Sequence, residues 1–76
     1  MNPRLPRLTA KEALQAFKRA GFIEWRQRGS HLHLKRLSDN RRVTILMHPH
    51  RIIPSGTLRA IIRDAGLSVD DFIALL

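Results

Sequence analysis

Gly29-Ser30-His31, with His33 one residue further on and Arg26, Arg28, Lys35 and Arg36 around it, sets a titratable base in a field that attracts phosphate. A neutral imidazole takes a proton near pH 7, and guanidinium groups hold a phosphodiester while it does so. Ribonucleotide chains carry their own nucleophile in the 2′-hydroxyl. Removing that proton and stabilising the crowded phosphorane is enough to cut RNA without a bound metal, whereas DNA lacks the route. The residues therefore predict RNA cleavage, with His31 as general base and with Arg26, Arg28 and Ser30 holding phosphate. The proton donor to the leaving 5′-oxygen is left open between His33, Lys35 and His48.

An isolated histidine at a strand start is by default an ordinary surface residue. Here three features weigh against that default: a Gly-Ser turn that brings backbone amides near an anion, the neighbouring arginines, and a strand alternation that turns His31 away from the leucines. A metal is the sharpest competing use, because His31-x-His33 and His48-x-His50 offer imidazoles. Neither pair has a carboxylate near it in sequence, and the flanking Arg and Lys repel a cation. No cofactor and no metal site is expected.

Charge bookkeeping points the same way. The chain has 76 residues and a formal charge of +8. All 14 Lys and Arg lie within residues 1–63, which carry +11, while residues 64–76 carry −3 through Asp64, Asp70 and Asp71. Arg outnumbers Lys 11 to 3, and the planar guanidinium suits phosphate better than an ammonium does. A polyanion is the expected partner. There is no cysteine, which excludes disulfides and thiolate-held zinc. The basic start, Met1-Asn2-Pro3-Arg4-Leu5-Pro6-Arg7, lacks the apolar run of a signal peptide, and no stretch is long and apolar enough to span a bilayer. A cytoplasmic protein of one domain, residues 1–76, is expected.

The elements that must position these residues are readable from capping and periodicity. Thr9-Ala10-Lys11-Glu12 is a capping box, so a helix should begin at Ala10, bury Ala13, Leu14 and Phe17, and stop at Gly21. Phe22–Gln27 and His31–Leu37, joined by Gly29-Ser30, predict a hairpin, with His31, His33 and Lys35 opposite Leu32 and Leu34. Trp25, beside Phe22 and Ile23, is expected in the core. After the Ser38–Arg41 turn, Arg42–Met47 forms a third strand, and the two prolines of His48–Pro54 predict a shaped loop running back across the sheet edge. A second helix starts near Ser55-Gly56 and buries Leu58, Ile61, Ile62 and Ala65. Ser68-Val69-Asp70-Asp71 opens a short last helix with Phe72, Ile73, Leu75 and Leu76. The order is αβββαα, an α+β fold.

Together, Gly21-Phe22, Arg26-Gln27-Arg28-Gly29-Ser30-His31, Val43-Thr44, His48-Pro49 and Gly56-Thr57-Leu58-Arg59-Ala60-Ile61-Ile62-Arg63-Asp64-Ala65-Gly66-Leu67-Ser68 resemble the HicA toxins of bacterial toxin–antitoxin pairs. The resemblance covers nearly the whole chain. It implies a double-stranded-RNA-binding-like fold, metal-independent cleavage of mRNA, and a cognate HicB-type antitoxin that covers the active surface. The essential histidine of the family falls on His31. The loop departs from the family pattern: His48-Pro49-His50-Arg51 stands where many members have one histidine followed by glycine or an acidic residue. Arg59 and Arg63, one turn apart on the second main helix, are expected on RNA backbone, as are Lys18, Arg19, Lys35, Arg36, Arg41 and Arg42 where these are not merely solvated. Two other readings remain: a non-catalytic RNA-binding module of the same fold, and, last, a helix-turn-helix DNA binder around Gly66. The acidic final helix would be repelled from a DNA groove, so no direct DNA binding is expected.

Overall fold

Thr9 shows how local chemistry starts the first element. In the computed structural model, which describes residues 5–76, the Thr9 hydroxyl accepts from the Glu12 N–H at 3.3 Å and the Glu12 carboxylate accepts from the Thr9 N–H at 3.0 Å. The second of these bonds, with the Thr9 hydroxyl adding to it, holds the Glu12 carboxyl below its ordinary pKa. Helix α1 runs Ala10–Arg19 and buries Ala10, Ala13, Leu14, Ala16 and Phe17 along one stripe.

Three antiparallel strands follow, β1 (Ile23–Arg28), β2 (His31–Arg36) and β3 (Arg41–Leu46), in the spatial order β1-β2-β3. Helix α2 is Ser55–Asp64 and α3 is Val69–Ile73, the latter opened by the Ser68–Asp71 capping box. The α+β order αβββαα is the expected one, with strand bounds shifted by a residue. The last helix ends at Ile73, so Leu75 and Leu76 lie beyond it.

The helices cover one face of the sheet only. Leu32, Leu34, Val43 and Ile45 point into a core shared with Phe17, Phe22, Leu58, Ile62 and Phe72. Phe17 meets Phe22 edge-on at 6.0 Å and Phe72 at 5.1 Å, so α1 and α3 are joined through one ring. No polar or charged residue is buried among those described. The other face of the sheet is left to solvent.

Arg36 closes the end of the sheet away from the Gly29 turn. Its guanidinium donates to Ala20 O at 3.2 Å and Ala65 O at 3.0 Å, the C-cap carbonyls of α1 and α2, and to both Asp39 oxygens at 3.1 and 2.7 Å. It also lies 4.7 Å over the Phe22 ring. One cation thus neutralises the negative ends of two helices. Arg36 therefore belongs to the frame of the domain and not to an open phosphate track. Arg41, bound to Asp64 O at 3.3 Å, and Arg19, bound to Leu75 O at 2.8 Å, are tied down similarly.

The hydrogen bonds from Arg36, with the Arg41 N–H second, hold the Asp39 carboxyl below its ordinary value, and Asp39 in turn raises the Arg36 guanidinium. A carboxyl whose folded pKa lies below its unfolded value of about 3.9 binds protons more weakly when folded. Its stabilisation is present above that value and is lost as pH falls through the depressed folded value. Asp39→Asn should therefore lower the melting temperature near neutral pH, and the gap to wild type should close as melts are run into acid below about pH 4. A gap independent of pH would contradict the assignment.

Candidate nucleic-acid interface

The β1–β2 turn has positive φ at Gly29 (+57°), the first of its two central residues, as a type II′ turn requires. Gln27 Nε2 donates to Gly29 O at 3.0 Å, and Ser30 O accepts from Met47 N–H at 2.7 Å. The turn is thereby pinned to the end of β3. Arg28 pairs directly with His31, and His31 with Leu46.

The register of β1 decides which face its arginines take. A bulge lies between Glu24 and Arg26, so that Glu24 pairs with Leu34 but Arg26 pairs with His33. Directly paired residues share a face, and counted back from the Gly29 turn an unbroken ladder would set Trp25 opposite Leu34 on the core side. Regular pairing from the turn places Arg26 and Arg28 with His31, His33 and Lys35 of β2 and Arg42, Thr44 and Leu46 of β3. The expected company of His31 is therefore present, Arg28 across from it and Arg26 two pairs along, the next on the same face.

The same bulge corrects the expectation for Trp25. It is not in the core: the side chain is 45% exposed, and Arg42, Lys35 and Arg26 stand 4.6, 5.5 and 5.9 Å from its ring centroid. Phe22, just before β1, takes the core place at 2% exposure. All of β1 is exposed: the helices pack on β3, Leu32 and Leu34 of β2 join the core, and no residue of this edge strand does.

His31 is exposed at the mouth of a cleft of about 470 Å³. The cleft runs along the free edge of β3, between Thr44 and Leu46 on the strand, His48, Arg51 and Ile52 on the loop, and Thr57 at the start of α2. The loop crosses the edge as expected because it is tethered: Ile52 bridges to Thr9, and the Ile53 N–H donates to Leu8 O at 2.8 Å. His48 is the one of the three proton-donor candidates that lines the same cleft as His31. His33 is half-buried, its Nδ1 2.9 Å from the Thr44 hydroxyl, so its ring is held by the neighbouring strand. His50, at φ +61°, lines a second hollow with Thr9, Lys11 and Pro49. Among the described residues no three His, Asp or Glu side chains converge on a point that could hold a metal.

Arg59 and Arg63 are not brought to this surface. Leu58 and Ile62 bury one side of α2, and Thr57 and Arg59, two positions apart, project about 200° from one another around the helix axis. Thr57 faces the cleft, so Arg59, with Arg63 one turn later, faces away from it. Thr44, Arg51 and Thr57 have no local signal that marks them as site residues, and they belong to the cleft only because the loop folds back on β3. In the sequence Arg42 is one of several basic surface residues, and its place over Trp25 depends on the β2–β3 register.

A domain of this order, with helices on one face of a three-stranded sheet and histidines among arginines on the other, is a small basic α+β protein of αβββαα order. Its family follows from a match to the model described as the HicA toxin of bacterial toxin–antitoxin, over residues 10–67. The chain belongs to that family and is the toxin of a toxin–antitoxin pair, so a cognate antitoxin is its partner. The matched span takes in α1, the sheet and α2, and leaves out α3. No curated protein matches the sequence. Among the described residues no helix is long and apolar enough to cross a membrane.

Proposed function

We propose that the protein is an endoribonuclease that cuts mRNA in the bacterial cytoplasm without a metal. The observation that carries this reading is the pairing of Arg28 with His31 on an open, cationic sheet face at the mouth of the cleft. His31 removes the proton of the 2′-hydroxyl, and the freed oxygen attacks phosphorus. Arg28, Arg26 and the Ser30 amide or hydroxyl hold the non-bridging oxygens as negative charge gathers on them. His48, across the cleft, returns a proton to the departing 5′-oxygen. The products are a 2′,3′-cyclic phosphate and a 5′-hydroxyl, so atoms balance without an added nucleophile. His33 and Lys35 extend the phosphate-holding face, and Arg59 and Arg63 are left to contact RNA backbone remote from the cut. The cognate antitoxin is of the HicB type and neutralises the toxin by covering His31, with acidic groups meeting the same cations.

End-labelled RNA incubated with the protein in EDTA should accumulate fragments ending in cyclic phosphate. RNA that is bound but unchanged would instead establish the non-catalytic RNA-binding module. The exposed basic face accounts equally well for binding in that case, so the ends of the fragments decide between the two.

A further inference from the structure

Trp25 is the only tryptophan of the chain and stands on its surface among three cations. An aromatic ring of this size is ordinarily drawn into the core of so small a domain, where it buries the most area. Here the β1 bulge turns it outward onto the face that carries Arg26, Lys35 and Arg42. Lys35 and Arg42 are direct cross-strand partners, a like-charge pair that destabilises a sheet by itself. The nearest acid in sequence, Glu24, pairs with Leu34 on the other face and is engaged by Lys18 at 2.7 Å. A flat apolar ring with three cations over it, none of them in an ion pair among the described residues, matches a nucleobase with phosphates on either side of it.

We propose that Trp25 is a stacking platform for an unpaired RNA base, with Lys35 and Arg42 holding the phosphates that flank that base. Base-on-aromatic stacking of this kind tolerates any base, because each has a π-face. The bulge sets Trp25 beside the Arg26–His33 pair, and its ring reaches Lys35, so the platform lies two to four residues along β2 from His31. At about 3.3 Å per residue that is roughly 7–13 Å, which assigns the stacked base to a nucleotide neighbouring the scissile bond and not to the one being cut. Bases inside a duplex are already stacked on each other and are unavailable to the platform. The site therefore selects single-stranded RNA although the fold that the resemblance implies is named for duplexes. This inference rests on the RNA reading proposed above.

The emission of Trp25 reports on the site directly. A short single-stranded 2′-O-methyl RNA, which lacks the free 2′-hydroxyl and is not cut, is titrated into the full chain while Trp25 fluorescence and the anisotropy of an end label on the RNA are both followed. Quenching should saturate together with the anisotropy, and the same sequence as a duplex should not quench. Trp25→Ala should weaken binding roughly 5–100-fold, whereas Trp25→Phe keeps most of the affinity, with the two variants melting alike. Anisotropy that rises while Trp25 emission is unchanged, or a Trp25→Ala variant that binds as wild type does, overturns base stacking but leaves the RNA reading standing. No anisotropy change at all overturns both. Quenching by the antitoxin but not by RNA assigns the ring to the protein partner and also overturns the proposal.

Discussion

His31→Ala is expected to lower the rate of RNA cleavage by about 10²–10⁴-fold, the contribution typical of a positioned general base, while leaving the melting temperature and RNA affinity close to those of wild type. The side chain is exposed and contributes nothing to the buried cluster, so its removal opens no cavity. Affinity is retained because Arg26, Arg28, Lys35 and Arg42 still present their charges on the same face, and phosphate contacts dominate binding to a polyanion. The loss therefore falls on kcat. Single-turnover cleavage by the two proteins at saturating concentration separates that step from binding. A variant that cuts at the wild-type rate removes His31 from the chemistry; one that loses affinity and rate in equal proportion makes it a binding residue. In bacteria, expression of the wild type alone should arrest growth and produce new mRNA ends, and His31→Ala should do neither.

Arg36→Ala should destabilise the fold although it empties no part of the apolar core. The guanidinium is 17% exposed and serves Ala20 O, Ala65 O and Asp39 at once. Truncation leaves two partly buried carbonyls without their donor at the ends of α1 and α2. Charge-assisted hydrogen bonds contribute a net of about 1.5–3 kcal/mol where they are shielded from water and less where solvent replaces the lost partner, and an orphaned buried acceptor costs about 1–3 kcal/mol. A net loss of about 2–3 kcal/mol is expected for the group as a whole, which in a domain of this size lowers Tm by roughly 10–20 °C. Arg36→Lys should recover only part of this, because one ammonium cannot span two helix ends and a carboxylate as the planar fork does. Thermal melts of the two variants test the assignment. An Arg36→Ala protein with wild-type Tm but weakened RNA binding would return this residue to the phosphate track.

The two substitutions separate features of the chain that look alike in sequence. Arg26, Arg28 and Arg36 are all arginines of the hairpin, yet the first two stand on the solvent face and the third is drawn under the helix ends. Position along a strand gives the side of the sheet only if the alternation is unbroken. The extra residue at Trp25 breaks it in β1, which is why that tryptophan lies outside and Phe22 inside.

Caps, turns and unbroken strand alternation depend on near neighbours and are legible in the residues themselves. The Thr9–Glu12 and Ser68–Asp71 boxes start their helices because donor and acceptor lie three residues apart. The Gly29 turn closes the hairpin because glycine accepts φ +57°. The opposition of His31 and His33 to Leu32 and Leu34 needs only a straight strand. The charge imbalance, too, is a property of composition, and it pointed to a polyanion before any coordinate. The register of β1, the duty of Arg36, the lining of one cleft by both His31 and His48, and the turning away of Arg59 and Arg63 were settled by the fold as a whole. These depend on pairing and packing between residues distant along the chain. The free energy of such contacts is set by which surfaces the whole domain buries, and no local run of residues encodes it.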